Sequence, residues 1–252
     1  MEPSERPLES RAEARSFRFE REMLEPLIAT LPEALGLDAA FTAGELTIIQ
    51  TPAVGNVIPD LLIGRWQGVP SGQFAAVTFV EAAALSFIQS VGSSTISQFS
   101  DRFHLSVGAA DRTLQKLTRR NFLGLNGEGK YYLEASANPR SCQLTAVEVK
   151  LSRWRDALDQ ATNYLVFADL AYVVLDGQRF VVRPEVMNEF RSAGVGLLLQ
   201  YEQVLHMVVD AKLHEPVSAD RFVALKHLTK VQRANLQQRA STQSVNALSH
   251  TD

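Results

Sequence analysis

An α/β protein with a mixed sheet flanked by helices is what this sequence predicts, and three observations carry the prediction. From Thr145 to Leu175 the chain reads strand, helix, strand: TAVEVKL alternates, Asp156 to Ala168 repeats apolar residues at helical spacing, and Leu170 to Leu175 is a short apolar run. Two further segments, 45–51 and 57–66, flank a Pro-Ala-Val-Gly-Asn turn and read as a β-hairpin. Between them and the central strand, 70–136 has a different texture, three helices and a Gly-containing hairpin, and predicts an inserted module.

Composition narrows the function classes. The chain has 252 residues and 46% hydrophobic content, enough for one large domain or two modest ones. Its longest apolar runs, Val195 to Leu199 and Ala82 to Ile88, fall short of the ~20 residues a membrane helix needs, so no span and no membrane partner are expected. The leader, residues 1–15, is polar and mixed in charge, unlike a secretory signal, and predicts a flexible segment on a cytoplasmic protein. The single Cys142 precludes a cysteine cluster, and the five histidines form no H-x-x-x-H pair, so a bound metal would be held mainly by oxygen. A net charge of −3 argues against a uniformly basic nucleic-acid coat and leaves local basic patches open.

Taken in order, the first helix runs from about Ser16 to Leu31, with Phe17, Glu20, Leu24, Leu27, Ile28 and Leu31 on one face. Glu20, on that apolar side, reads by itself as a boundary carboxylate favoured by the helix dipole. In the second strand of the hairpin Ile58, Asp60 and Leu62 share a face. An acid there either meets a partner, a metal or water, or faces solvent at the strand end. Phe79 to Val91, Thr95 to Phe103 and Ser106 to Leu123 are the three helices of the insert, followed by LGLNGEGKYYLE, and together they read as a winged helix at 70–136. Its third helix carries Arg112, Lys116, Arg119 and Arg120 for phosphate contact, with Arg112, Thr113 and Gln115 as candidate base-edge readers. The same helix could equally face protein or solvent.

In the central strand Glu148 and Lys150 point one way and Val147, Val149 and Leu151 the other. The following helix stacks Gln160 and Tyr164 four residues apart. A helix at Pro184 to Ser192, strands at 194–199 and 204–209, and a last helix capped by Ser218 and running to Arg239 complete the chain, with a frayed tail beyond.

Asp60, Glu148 and Lys150 thus stand on two adjacent predicted strands. Two carboxylates and a main-chain carbonyl form a hard-oxygen site suited to Mg²⁺ or Mn²⁺, and a lysine beside it can act on an attacking water. Through Pro59-Asp60 and Glu148-Val149-Lys150, in this order of elements, the chain resembles the PD-(D/E)XK nuclease superfamily, whose restriction-endonuclease-like fold would span 16–67 and 140–213. The resemblance implies that Asp60, Glu148 and the carbonyl of Val149 hold the metal, that Lys150 acts on the water, and that Glu20 and Gln160 complete the site. Asp60 and Glu148 lie 88 positions apart, an excess over a hairpin that the inserted winged helix accounts for. The C-terminal 214–252 is a helix and tail.

The expected activity is therefore metal-dependent hydrolysis of DNA phosphodiester bonds, with the winged helix on duplex DNA. Arg65, Arg153 and Arg155 flank the site as candidate backbone contacts. A catalytically silent nuclease-fold module, binding DNA or regulating a larger complex, is the alternative. A third reading makes both domains protein-interaction surfaces. A homodimer follows by resemblance, since two sites cut two strands, and a defence or repair complex is a candidate setting.

Overall fold

The computed structural model describes residues 16–36, 46–67 and 72–248. The leader, Glu45 and the junction at 68–71 lie outside the described residues. In chain order the elements are α1 (Glu20–Ala34), β1 (Leu46–Gln50), β2 (Leu61–Trp66), α2 (Phe79–Val91), β3 (Ser93–Ser94), α3 (Ile96–Phe103), α4 (Val107–Arg119), β4 (Leu123–Leu125) and β5 (Tyr131–Leu133). Then follow β6 (Cys142–Lys150), α5 (Trp154–Tyr164), β7 (Leu170–Asp176), α6 (Pro184–Ala193), β8 (Gly196–Tyr201), β9 (Val204–Val209) and α7 (Ala219–Leu248). The fold is α/β, with a mixed six-stranded sheet in the order β1-β2-β6-β7-β8-β9 and a three-stranded sheet in the order β3-β5-β4. Among the described residues no helix is long and apolar enough to cross a membrane.

The described residues cluster into two compact units: 16–36, 146–163 and 170–213 in one, 46–67, 72–145, 164–169 and 214–248 in the other. The hairpin β1-β2 thus groups with the helical segment and α7, where the sequence reading joins it to α1 and the later strands.

In the first unit β7 and β8 pair in parallel, Tyr172 opposite Gly196 through Asp176 opposite Gln200, and β9 returns antiparallel on β8. Both central strands are buried almost throughout, which is why AYVVL and GLLLQ read as continuous apolar runs. Gly196 is required there: a Cβ would sit 2.2 Å from the Tyr172 ring. Helix α1 buries Met23, Leu27 and Leu31 and packs on β9. It starts at Glu20 and not at Ser16, because the Glu22 carboxylate accepts from the backbone N–H of Arg18 and Phe19 and fixes the first turn there. Ser16 and Phe17 are instead an extended strap, donating from Oγ and N to the buried Asp176 carboxylate at 2.9 and 3.1 Å.

In the second unit β1 and β2 are antiparallel, with Gln50 opposite Leu61. The strand predicted from Val57 begins only at Leu61. Pro59 has no N–H to give the ladder, so Asp60 lies in the bend before β2, its carbonyl accepting from Thr51 N at 2.9 Å. The shared face of Ile58, Asp60 and Leu62 is therefore not formed. Helices α2 and α3 match their predicted spans, each opened by a threonine cap with a reciprocal glutamate or glutamine, Thr78 with Glu81 and Thr95 with Gln98. Helix α4 stops at Arg119, short of Leu123, because Asn121 turns left-handed (φ 58°) and releases Phe122 to the core and Leu123 to β4. Phe74, Phe122 and Phe222 stack edge-on and tilted around a common core, where α7 packs on α2. Ser218 caps α7 as expected, accepting from Arg221 N. The helix continues to Leu248, beyond the predicted end at Arg239, since no Gly or Pro interrupts 219–248.

Candidate functional site

The EVK stretch of β6 lies in the first unit, and its burial is unusual for its composition. Glu148 is 2% exposed, between the buried Val147 and Val149. Lys150 Nζ donates to Glu148 Oε1 at 2.5 Å, the two side chains sharing a strand face as their i,i+2 spacing dictates. Glu20, at the first turn of α1, brings a second carboxylate to within 3.9 Å of the same ammonium, and its side chain is 40% exposed. Three sequence-predicted site residues, Glu20, Glu148 and Lys150, therefore meet in space. Leaving a carboxylate in apolar surroundings is costly without a counter-charge, and Lys150 supplies one. Gln160 is on the exposed face of α5 in the same unit.

Asp60 belongs to the second unit and is half-buried. Beside it, within that unit, the buried Tyr164 donates its hydroxyl to the Ile58 carbonyl at 3.3 Å, two residues before Asp60. Tyr164, the last residue of α5, thus reaches the Pro-Asp segment. Among the described residues no group of three or more His, Cys, Asp or Glu gathers as a metal site. Glu20 and Glu148 on one ammonium are nevertheless a hard-oxygen pair. Magnesium commonly takes one or two carboxylates and completes its shell with water and substrate phosphate, so the donor chemistry fits. Cys142 offers no alternative nucleophile: burial pushes its thiol far above the usual range.

The basic helix α4 divides into two sets. Lys116 and Arg120 both bond Glu81 Oε1 at 2.9 Å, and Arg120 also donates to the Gln73 carbonyl and lies over the Phe122 ring. Arg120 is thereby a tie between α4 and the start of α2, whereas Lys116 keeps much of its side chain in solvent. Burial works to raise the Glu81 pKa, but the Thr78 N–H, Lys116 and Arg120 together outweigh it and hold the carboxyl down at about 2. Arg112, Gln115 and Arg119 are exposed, with Gln115 donating to Asp111 and Arg119 to Gln115, and Thr113 turns its hydroxyl back to the Ala109 carbonyl. Arg153 pairs with Asp156 at 3.2 Å, and Arg155 lies 4.3 Å from the Trp154 ring centroid.

The most extensive buried ionic group went unnoticed in the sequence. Arg221, 1% exposed, bonds both Asp169 oxygens and the carbonyls of Phe167, Pro139 and Cys142, while Asp169 Oδ2 accepts from Leu144 N. An acid immediately before an apolar strand is the trace it leaves in the sequence.

Compared with protein-family models the chain matches none, and no curated protein matches it. A solved structure of a protein of unknown function from Silicibacter pomeroyi is similar to 48% of this chain and 70% of its own, at 20% identity and a TM-score of 0.28.

Proposed function

We propose that the chain is a metal-dependent DNA endonuclease of the PD-(D/E)XK type. The observation that carries the reading is the Glu148–Lys150–Glu20 cluster: a nearly inaccessible acid at the end of a core strand, paired two residues on and joined by a second acid from the first helix. A buried ion pair seldom adds net stability, so a strand-borne one asks for another explanation. In this reading Glu148 and the Val149 carbonyl, with Glu20 beside them, would hold Mg²⁺ or Mn²⁺, which when bound would neutralise charge on the scissile phosphate. Lys150 would orient the attacking water through its ammonium, Glu20 would keep that ammonium charged and aimed, and the water's proton would leave to solvent. The succession α2-β3-α3-α4-β4-β5, with its sheet order β3-β5-β4, supports a winged helix, whose β4–β5 turn over Asn126 to Lys130 would be the wing. Arg112 and Arg119 then carry its phosphate contacts, with Lys116 shared between Glu81 and the duplex.

The test is incubation of the purified protein with supercoiled and linear duplex DNA, with Mg²⁺, Mn²⁺ or chelator, alongside Glu148→Ala and Lys150→Ala. Cutting that needs metal and is lost in both variants is expected. Cutting that survives both places the activity elsewhere. DNA binding without cutting favours the silent DNA-binding module.

A further inference from the structure

Beyond the strand that carries Glu148 and Lys150, the same unit holds a cleft of about 550 Å³ between the start of α5 and the start of α6. That volume lies within the range of small-ligand sites. Three guanidiniums line it, from Arg155, Arg179 and Arg183. Their situations differ. Arg179 is anchored, donating to Ser16 Oγ and the Phe17 carbonyl at 2.6 Å and lying 3.5 Å from Asp176. Arg155 and Arg183 are exposed and, among the described residues, bond to no carboxylate, Arg155 having only the Trp154 ring beneath it. Glu185 and Glu189 of α6 stand on the same cleft, yet neither forms an ion pair with these arginines. The floor is apolar: Trp154 and Phe180 are largely covered, while Val181 leaves 74% of its surface in water.

A simple anion would suit the arginines and meet repulsion from the two glutamates. An apolar ligand would leave all five charges unused. A nucleotide satisfies both sets, with phosphate on the guanidiniums, base over the apolar floor, and base amino or sugar hydroxyl groups donating to the carboxylates. We infer that this cleft binds one nucleotide unit of a nucleic-acid strand, through Arg155 and Arg183 on its phosphate and Glu185 or Glu189 on its base or sugar. The inference rests on the nuclease reading only for the purpose of the binding: such a cleft would hold a nucleotide flanking the one that is cut.

The experiment is fluorescence anisotropy of a labelled single-stranded oligodeoxynucleotide in EDTA, so that binding is read without cleavage. Wild type is compared with the Arg155→Ala/Arg183→Ala double variant and with Arg191→Ala, which removes an exposed guanidinium of α6 outside the cleft lining. The double variant is expected to bind at least tenfold more weakly with a shallower dependence on salt, and Arg191→Ala to bind as wild type. A Glu185→Gln/Glu189→Gln variant is expected to change the preference among homopolymer oligonucleotides, which loss of phosphate contact alone does not do. Competition by AMP would assign the same cleft to a free nucleotide, and its failure to compete assigns the cleft to a strand. Unchanged binding in the arginine double variant, equal loss in Arg191→Ala, or no binding by wild type overturns the inference. Because these readouts need no metal, failure of the Glu148 and Lys150 assignment would leave them intact, and cutting with unaltered strand binding would sink the cleft alone.

Discussion

Two buried acid–base pairs, Asp169 with Arg221 and Glu148 with Lys150, are alike in chemistry and opposite in what they do for the chain. The first joins residues 52 apart in sequence and, through the Phe167, Pro139 and Cys142 carbonyls and Leu144 N–H, ties three segments of its unit together. The second joins residues two apart on one strand, a bond that closes no loop. A pair that cross-links distant segments repays its desolvation in tertiary structure. A bond between strand neighbours repays less that way, and on the proposed reading the burial of Glu148 serves chemistry. That difference, more than the presence of charge, separates scaffold from candidate site.

The largest expected effect breaks the first pair. Asp169→Ala strands a guanidinium that is 1% exposed and should destabilise the protein by about 3–5 kcal/mol, read as a lower urea midpoint. Replacing both partners with apolar residues, Asp169→Leu with Arg221→Met, is expected to recover much of that loss, though the carbonyls served by Arg221 lose their donor. If Asp169→Ala unfolds no more easily than wild type, the contrast between scaffold and site has no basis.

Next in size is the Glu81 tie, which sharpens the comparison by adding a pH axis. The folded-state pKa, held down at about 2, lies below the ordinary value of 4.5. A depressed carboxylate contributes its stability above the unfolded pKa and loses it as pH falls through the folded one. The contribution, on the order of 3 kcal/mol, is therefore complete above roughly pH 5 and disappears between about pH 4.5 and 2. Denaturant melts of wild type and Glu81→Gln should converge over that window. Curves that stay parallel would show that Lys116 and Arg120 do not hold the acid.

Much of this was readable from the sequence, and the failures have physical causes. Element types came through because apolar periodicity records which face is buried: α2 and β9 lie where the pattern put them, and Glu148 and Lys150 share a face because strand geometry leaves no other choice. Ends were less legible. The start of α1 is decided by one carboxylate on two N–H groups, and the start of β2 by a donor that Pro59 lacks. The Asp169–Arg221 clamp leaves only an acid before the apolar strand β7 as its trace, since its partners come together only after folding. Glu81 did have one: Thr78-x-x-Glu81 is a capping box, and an acid at the third helical position of an apolar run is expected to turn back on its own cap.

The smallest stability effect is expected where the functional effect is largest. Glu148→Gln keeps the shape and an acceptor for Lys150 and removes only the charge, and Lys150, 12% exposed, retains both Glu20 and a path to solvent. The substitution should shift stability by about 1 kcal/mol or less, since the amide keeps the side chain's shape and an acceptor for Lys150. On the proposed reading it should also lower metal-dependent cutting at least a hundredfold, because a neutral amide ligates a divalent cation poorly and no longer balances the lysine. Thermal melts with and without Mn²⁺ provide a second readout: wild type should gain stability from the metal and Glu148→Gln should not. A variant that is severely destabilised and equally metal-responsive would place Glu148 with Asp169 among the ties that hold the fold, and the chemistry would have to be sought elsewhere.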